Sequence, residues 1–493
     1  MQALNRRALG ALPPTVVGPS YERKQVRPGI AHIGVGAFHR AHLAIYVERA
    51  LARGDANTWG ILGINLLDTD RHLASALNAQ DGLYTVTEMA PDGSRAHRVI
   101  GAMVEYRYAP DSPNQVLARL ADPAIRIVSL TITEGGYLID DRGRFKLDDA
   151  VVAYDLAHRD APRGVFGFLI GALALRRRAG AAPFTVMSCD NLRHNGDQTR
   201  RACLAYAQAF DPTLASWIAA EVDFPNAMVD RITPATDPAR RAELNAMTGL
   251  DDRAPVVAED FIQWVLEDKF RQGRPRWEEV GVQMVSDVTP YEEAKIRLLN
   301  GAHQMLSYPA FLSGLRGVDE ALREPLFHDY LRDFLAQDSA IWLESLPGME
   351  LESYERLLLE RFGNRAIADR LDRLCLDGGS KIPGFLLPTL EACLANNRDA
   401  RRLAFLLACY DRYLRAGKDD GGTPYPLREP NAMRLLKPII ESNSPLALLQ
   451  CTDLVGPRPA ADARFKAQYL ALRAQLDAQG ARATLAALPK LAV

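Results

Sequence analysis

The chain has 493 residues, with 59 Lys and Arg against 61 Asp and Glu, a net charge of −2. That balance excludes a dominant basic face for nucleic acid or for an anionic membrane surface. With 48 % hydrophobic and 24 % charged residues, the proportions are those of a large globular protein, not of a disordered or fibrous one.

The N-terminal stretch Met1–Pro14 carries Arg6 and Arg7 but no apolar core of signal-peptide length after them. The longest uncharged apolar run, Val165–Leu175, falls well short of the ~20 residues that span a bilayer. The six cysteines (189, 203, 375, 393, 409 and 451) form no C-x-x-C pair and read as reduced thiols of a cytoplasmic protein. Of nine histidines only His39 and His42 lie close together, with no carboxylate or thiol to complete a zinc set, so no metal is expected.

From about residue 29 to 285, short β-rich runs alternate with helical stretches. Gly29–Val35, Trp59–Asn65, Leu83–Glu88, Ile125–Thr133 and Phe184–Ser188 read as strands. Leu43–Arg53, Gly164–Arg178 and Gln198–Phe210 carry helical spacing. That alternation predicts a mostly parallel α/β sheet covered on both faces. A last strand-like run, Val282–Val285, precedes a change of texture. Beyond it, Glu292–Leu306, Leu326–Asp338, Tyr354–Phe362, Ala366–Leu374 and Ala400–Ala416 place apolar residues at i, i+3, i+4 and i+7, which predicts an all-helical domain. The expected division is therefore 1–285 and 286–493.

The first chemical motif is Gly34-Val-Gly36-Ala-Phe38-His39, between a strand and a helix. Gly34 permits a tight turn and Gly36 a close approach of backbone to a pyrophosphate, although His39 replaces the third glycine of the dinucleotide fingerprint. Asp68 and Asp70 follow the next strand, 34 and 36 residues past Gly34, where ~20 is usual. They read as the ribose-binding acid or as a solvated turn.

The second motif is Thr289-Pro-Tyr-Glu292-Glu-Ala-Lys295-Ile-Arg-Leu-Leu-Asn300-Gly-Ala-His303. Thr289, Pro290 and Glu292 spell a capping box that starts a helix. At about 100° per residue, with Lys295 as zero, Glu292 falls near 60°, His303 near 80° and Asn300 near 140°. Polar groups interleaved with Ile296 and Leu299 on one face are costly to bury without partners or a ligand. A lysine in such a place loses proton affinity and suits a general base near neutral pH. Tyr291-x-x-x-Lys295 repeats the Tyr/Lys spacing of short-chain dehydrogenases. Lys295, however, lies 259 residues beyond Gly36, at the head of a second domain, so that assignment fails.

Several stretches taken together resemble the polyol-specific long-chain dehydrogenases. They are Gly34-x-Gly36-x-Phe38-His39-Arg40, Thr131-Ile-Thr-Glu-Gly-Gly-Tyr137, Ser188-Cys-Asp-Asn191, Phe224 to Pro234 with its Val-Asp230-Arg-Ile-Thr, and the Lys295…Asn300…His303 helix. The resemblance spans nearly the whole chain. It implies a Rossmann-type N-terminal domain, a mostly α-helical C-terminal domain, and metal-independent, NAD-linked oxidation of a polyol secondary alcohol to a ketose. D-Mannitol and D-fructose are the expected pair. A D-arabinitol 4-dehydrogenase and a uronate reductase of the fructuronate type are the alternatives within the family, and a nucleotide-sensing Rossmann protein the alternative outside it. By resemblance Lys295 is the general base, Asn191 and Asn300 bind the reacting oxygen, and His303 positions a substrate hydroxyl. Asp230 orients the lysine, Glu292 relays a proton or only caps the helix, and Arg373 and Lys381 face the far end of the substrate. Gly34, Gly36, Phe38, His39, Arg40 and Asp70, with Asp68 second to it, are the expected cofactor contacts. The resemblance also implies a monomer with a small-molecule substrate, and no nucleic-acid or membrane partner.

Overall fold

The structure is a computed structural model that describes all residues except 141–142, 345, 348–349 and 489–493. The chain divides into two compact units, Met1–Thr289 and Pro290–Val493.

In the first unit the main strands are β1 (Pro28–Ile33), β2 (Gly60–Asn65), β3 (Tyr84–Met89), β4 (Arg95–Ile100), β5 (Met103–Tyr108), β6 (Ile127–Leu130), β7 (Thr185–Ser188), β8 (Ala227–Asp230), β9 (Val256–Glu259), β10 (Gln263–Glu267) and β11 (Gln283–Val285). The central sheet has the order β5-β2-β1-β6-β7 and every pairing in it is parallel. Numbered within that sheet, the order is 3-2-1-4-5, the Rossmann order through its fifth strand, and it reverses between β1 and β6. Every residue of β1, β2 and β6 is buried, because both faces are covered. Ile30, Ile61 and Ile127 point into one core with Leu43, Tyr46 and Trp264; Ala31, Leu62, Val128 and Val186 point into the other with Phe168 and Leu169. The helices that matter below are α1 (Ala37–Ala41), α2 (Leu43–Ala52), α3 (Arg71–Ala79), α4 (Ala150–Ala157), α5 (Val165–Arg178) and α6 (Asn195–Phe210). Two of the smaller sheets matter here. One contains β9-β3-β4, with β3 and β4 antiparallel; the other is β8-β10-β11, with β8 and β10 antiparallel.

The expected strand Ile125–Thr133 is shorter than its apolar run. β6 ends at Leu130, because the amides of Ile132 and Thr133 turn to the carboxylate of Asp190 and not to a neighbouring strand.

The second unit is helical: α7 (Thr289–Lys295), a π-turn over Ile296–Asn300, α8 (Gly301–Leu312), α9 (Pro325–Phe334), α10 (Leu351–Phe362), α11 (Arg401–Ala416) and α12 (Ala463–Ala486) are its main elements. Helix α11 packs between α8 and α12, and Gly480 breaks α12 with φ +80° beside Asp420. The expected helix over Ala366–Leu374 survives only as Leu371–Leu374. Ala368 is left-handed, and the carbonyls of Asp369 and Arg316 are taken by the amides of Val318 and Leu371. At the start of α7, Asp287 accepts both the Thr289 amide (2.9 Å) and its hydroxyl (2.6 Å). Among the described residues no helix is long and apolar enough to cross a membrane.

Candidate active site and cofactor cavity

At the carboxyl ends of β1, β2 and β6, where open parallel sheets bind ligands, the first unit has a cavity of about 510 Å³. Gly34, Gly36, Asn65, Asp70, Thr131 and Thr133 line it, with Leu67 and Val151 at its rim, 64 % and 40 % exposed. Gly34 has φ +95°, and a Cβ there would sit 2.1 Å from the Thr131 carbonyl oxygen, so only glycine fits between β1 and the loop after β6. Gly36 is the opposite case. Its amide donates to the Gly34 carbonyl at 2.7 Å, and a Cβ on it would meet nothing closer than 3.8 Å. The space in front of it is open to a ligand at the start of α1.

Asp70 lines the cavity and heads α3 without capping it. Asp68 is exposed and does not line it. The neighbouring Arg71 pairs with Asp111 at 3.3 Å and lies over the Tyr108 ring. Phe38, His39 and Arg40 are not among the lining residues. Phe38 stacks on His42, and His39 stacks on His32 at 3.5 Å, where burial holds the imidazole far below its ordinary basicity. Arg40 donates to the carbonyls of Gly36 and Ala254 and lies over the Tyr84 ring. These three side chains knit α1 into the core.

Asn191 follows β7 directly and is exposed; Asp230 ends β8 and is buried. Asn195 joins these two elements. Its amide donates to the Asp190 and Ala227 carbonyls, and its side-chain oxygen accepts from the Ala227 amide at 2.9 Å. Beyond Asp230, the buried Arg231 guanidinium bonds Glu88 at 2.6 Å and the carbonyls of Ala41 and Glu259, which fixes the exit of β8.

In the second unit Glu292, Lys295 and His303 are 4 %, 8 % and 9 % exposed. The π-turn between Lys295 and Asn300 alters the angles expected of a plain α-helix. At about 4.4 residues per turn, Asn300 comes back to about 50° and His303 to within roughly 10–20° of Lys295. With Glu292 near 60°, the four polar groups span an arc of about 70° in place of 140°. The buried hydroxyl of Ser339 donates to the Arg297 carbonyl inside this turn at 3.0 Å. His303 stacks on Phe362 with centroids 4.1 Å apart, and no hydrogen-bond partner meets the Asn300 side-chain oxygen among the described residues. Tyr291, the other half of the misleading Tyr/Lys spacing, donates to the Pro347 carbonyl.

Arg373 and Lys381 lie together. The lysine ammonium donates to the carbonyls of Arg373 (3.4 Å) and Leu374 (3.3 Å). Burial, and next the Arg373 charge, lowers its proton affinity. Arg373 makes a bidentate pair with Asp369 at 2.7 and 2.5 Å. Burial alone would raise the Asp369 carboxyl, but the Arg373 bonds and charge and then His303 hold it below the ordinary carboxylate range. Asp369, Asp190, Tyr137 and Asn195 are the organising residues that sequence reasoning missed. Asp190 and Tyr137 stood inside two of the motifs that carried the resemblance, where only Asn191 received a role.

A Rossmann sheet with a nucleotide-sized cavity, joined to a helical unit with a lysine on a polar helix face, defines a two-domain dinucleotide-dependent oxidoreductase. The sequence comparisons agree: residues 28–279 match the mannitol dehydrogenase Rossmann domain and residues 287–468 the mannitol dehydrogenase C-terminal domain. The chain belongs to the mannitol dehydrogenase family of polyol dehydrogenases. It is 44 % identical to the polyol:NADP oxidoreductase of Gluconobacter oxydans, over 98 % of this chain and 100 % of that one. Among solved structures, the Pseudomonas fluorescens mannitol 2-dehydrogenase in ternary complex with NAD and D-mannitol matches at TM-score 0.90 and 44 % identity, covering 99 % of each chain. A D-sorbitol dehydrogenase in substrate-free form matches at TM-score 0.90 and 42 % identity, over 98 % of this chain and 100 % of that one.

Proposed function

We propose that this protein is an NAD-dependent polyol dehydrogenase that interconverts D-mannitol and D-fructose. The observation that carries this reading is the full-length likeness to a mannitol 2-dehydrogenase seen with NAD and D-mannitol, together with a glycine-edged cavity at the Rossmann switch point.

NAD fits the first unit, since Gly36 leaves its space open and Asp70 lines the cavity, which supports a bond from its carboxylate to the adenosine ribose hydroxyls. When bound, NAD would supply the acceptor for the hydride of the carbinol carbon. The Asp70 carboxylate repels a 2′-phosphate, and Arg71, engaged with Asp111 and Tyr108, is turned to another task. Preference for NAD over NADP follows, although one relative carries NADP in its name.

Lys295 takes the hydroxyl proton in polyol oxidation and returns it in ketose reduction. Asn191 and Asn300 donate hydrogen bonds to the oxygen as it passes from hydroxyl to carbonyl. His303 and the Arg373–Lys381 pair hold the other substrate hydroxyls, Asp230 orients the lysine, and Glu292 passes its proton on. The division of labour is 1–285 for the cofactor, with Asn191 and Asp230 serving the reaction, and 286–493 for the lysine and the remaining substrate contacts. The transfer runs without a metal, in a cytoplasmic monomer with neither a nucleic-acid nor a membrane partner, in keeping with the even charge balance.

The test is the change in near-ultraviolet NADH absorbance with D-mannitol, D-arabinitol, sorbitol and mannonate, each compared by kcat/KM. The highest value is expected for D-mannitol. A higher value for D-arabinitol or mannonate would move the substrate within the family, and silence across the panel would end the enzyme reading.

A further inference from the structure

The loop after β6 supplies Thr131, Ile132, Thr133, Gly136 and Leu138 to the cofactor cavity. Its own bonds are those of one short turn, the Tyr137 and Leu138 amides on the Glu134 and Gly135 carbonyls at 3.3 Å, and Thr133, a β-branched residue, is left-handed with φ +60°. Thr131 ties its start to β1, and the turn after β7 holds the residues that follow. Asp190 accepts the Ile132 amide at 2.9 Å, the Thr133 amide at 3.0 Å and the Tyr137 hydroxyl at 2.7 Å, and that hydroxyl lies 2.5 Å from the Ser188 Oγ. A strained backbone of this kind persists only where its surroundings over-determine it.

The main chain of Asp190 faces the other way. Its amide donates to the Ser188 Oγ at 3.3 Å. Its carbonyl accepts from the Leu192 amide at 2.9 Å and from the Asn195 side chain at 3.0 Å. Asn191 therefore stands in a turn pinned on both sides. The Asp190 side chain is buried and is not part of the cavity lining.

We propose that Asp190 is a positioning residue that couples the cofactor-contacting loop Thr131–Leu138 to the turn presenting Asn191. Cofactor seating and the hydrogen bond to the reacting oxygen then depend on one carboxylate. The second half rests on the role given above to Asn191; the first half does not.

The full-length protein would be compared as wild type, Asp190→Asn, Tyr137→Phe, Asn191→Ala and the Asp190→Asn/Asn191→Ala double variant. The measurements are NADH Kd by fluorescence titration, kcat with saturating D-mannitol, and melting temperature. An amide in place of the carboxylate turns an N–H towards an N–H, so Asp190→Asn should raise NADH Kd about 10-fold and lower kcat about 10- to 100-fold. Tyr137→Phe removes one of the three donors and should move both in the same direction by about 3-fold. In the Asn191→Ala background, Asp190→Asn should raise Kd by the same factor yet add less than about 2-fold to the kcat loss, because that loss passes through Asn191.

A role in stability alone would lower the melting temperature and let the two kcat losses multiply, and that result overturns the coupling. An unchanged NADH Kd in Asp190→Asn overturns the loop-holding half. If Asp190→Asn does not fold, an unchanged Kd in a folded Tyr137→Phe does the same. A wild-type kcat in Asn191→Ala refutes the role of Asn191 itself, an outcome separate from either.

Discussion

Gly34 and Gly36 stand two residues apart in the cofactor turn, and the structure assigns them opposite sensitivities to a single methyl group. A Cβ at Gly34 would lie 2.1 Å from the Thr131 carbonyl oxygen, at φ +95°. The left-handed backbone alone costs an L-residue about 1–2 kcal/mol. The clash cannot be relieved by a rotamer, because the contacted atom is main chain and is itself fixed. The Thr131 amide donates to Ile33 at 3.0 Å and its hydroxyl to the Gly34 carbonyl at 2.7 Å. Separating the loops breaks at least one of these bonds, at about 1 kcal/mol each. Gly34→Ala should therefore destabilise the fold by about 3 kcal/mol, which for the Met1–Thr289 unit lowers Tm by roughly 5 °C. Gly36→Ala meets nothing within 3.8 Å and should melt within about 1–2 °C of the parent. Its methyl group instead enters the space given to the pyrophosphate and should weaken NADH at least about 10-fold, or about 1.4 kcal/mol. Differential scanning fluorimetry and NADH titration of both variants read the two axes. Unaltered NADH affinity in Gly36→Ala would refute the placement of the cofactor at this turn, and a stable Gly34→Ala would refute the steric argument for Gly34.

Three further expectations follow from named residues. Lys295→Ala should lower kcat by about 10²–10⁴ with NADH affinity kept, and Tyr291→Phe, which loses only a bond to the Pro347 carbonyl, should be mild; reversed results would reinstate the tyrosine chemistry. Asp70→Ala should shrink the NAD/NADP ratio of kcat/KM mainly through cofactor KM, whereas an unchanged ratio would make Asp70 a turn residue. Glu48, buried and held at about 7 chiefly by desolvation, accepts Tyr21, Gly101 and Ala102 through a single oxygen. Because its native pKa lies above the unfolded one, its contribution to stability is full below pH ~4.5 and is lost as pH rises to about 7, by at most about 3 kcal/mol. Glu48→Gln can keep the three donors and does not titrate, so its Tm should fall less than the parent's between pH 4.5 and 7; parallel curves would disprove the assignment.

Local pattern reached far in this chain. Short β-rich apolar runs marked β1, β2 and β7, period-2 alternation marked β3, and helical spacing marked α2, α5 and α11, because each element buries surface that its own sequence must make apolar. The glycine turn was legible for a related reason: the residue type that permits its backbone is written at the position itself. The Lys295 helix was also visible, as polar groups among aliphatic ones. Other features depended on partners distant in sequence. β6 stops at Leu130 because a carboxylate about sixty residues away claims the next amides. Arg40 and His39, adjacent to the glycines, are drawn inward by Ala254, Tyr84 and His32. The π-turn that gathers Lys295, Asn300 and His303 on a narrow arc adds a residue to one turn, a change of hydrogen-bond register that a 3.6-residue period cannot reveal. Composition and periodicity determined which faces are apolar and which residue types were at hand. The tertiary structure decided which polar groups meet, because the bonds from Ile132, Thr133 and Tyr137 to Asp190, which tie the cavity loop to the Asn191 turn, join segments that the chain brings together only once the sheet has formed.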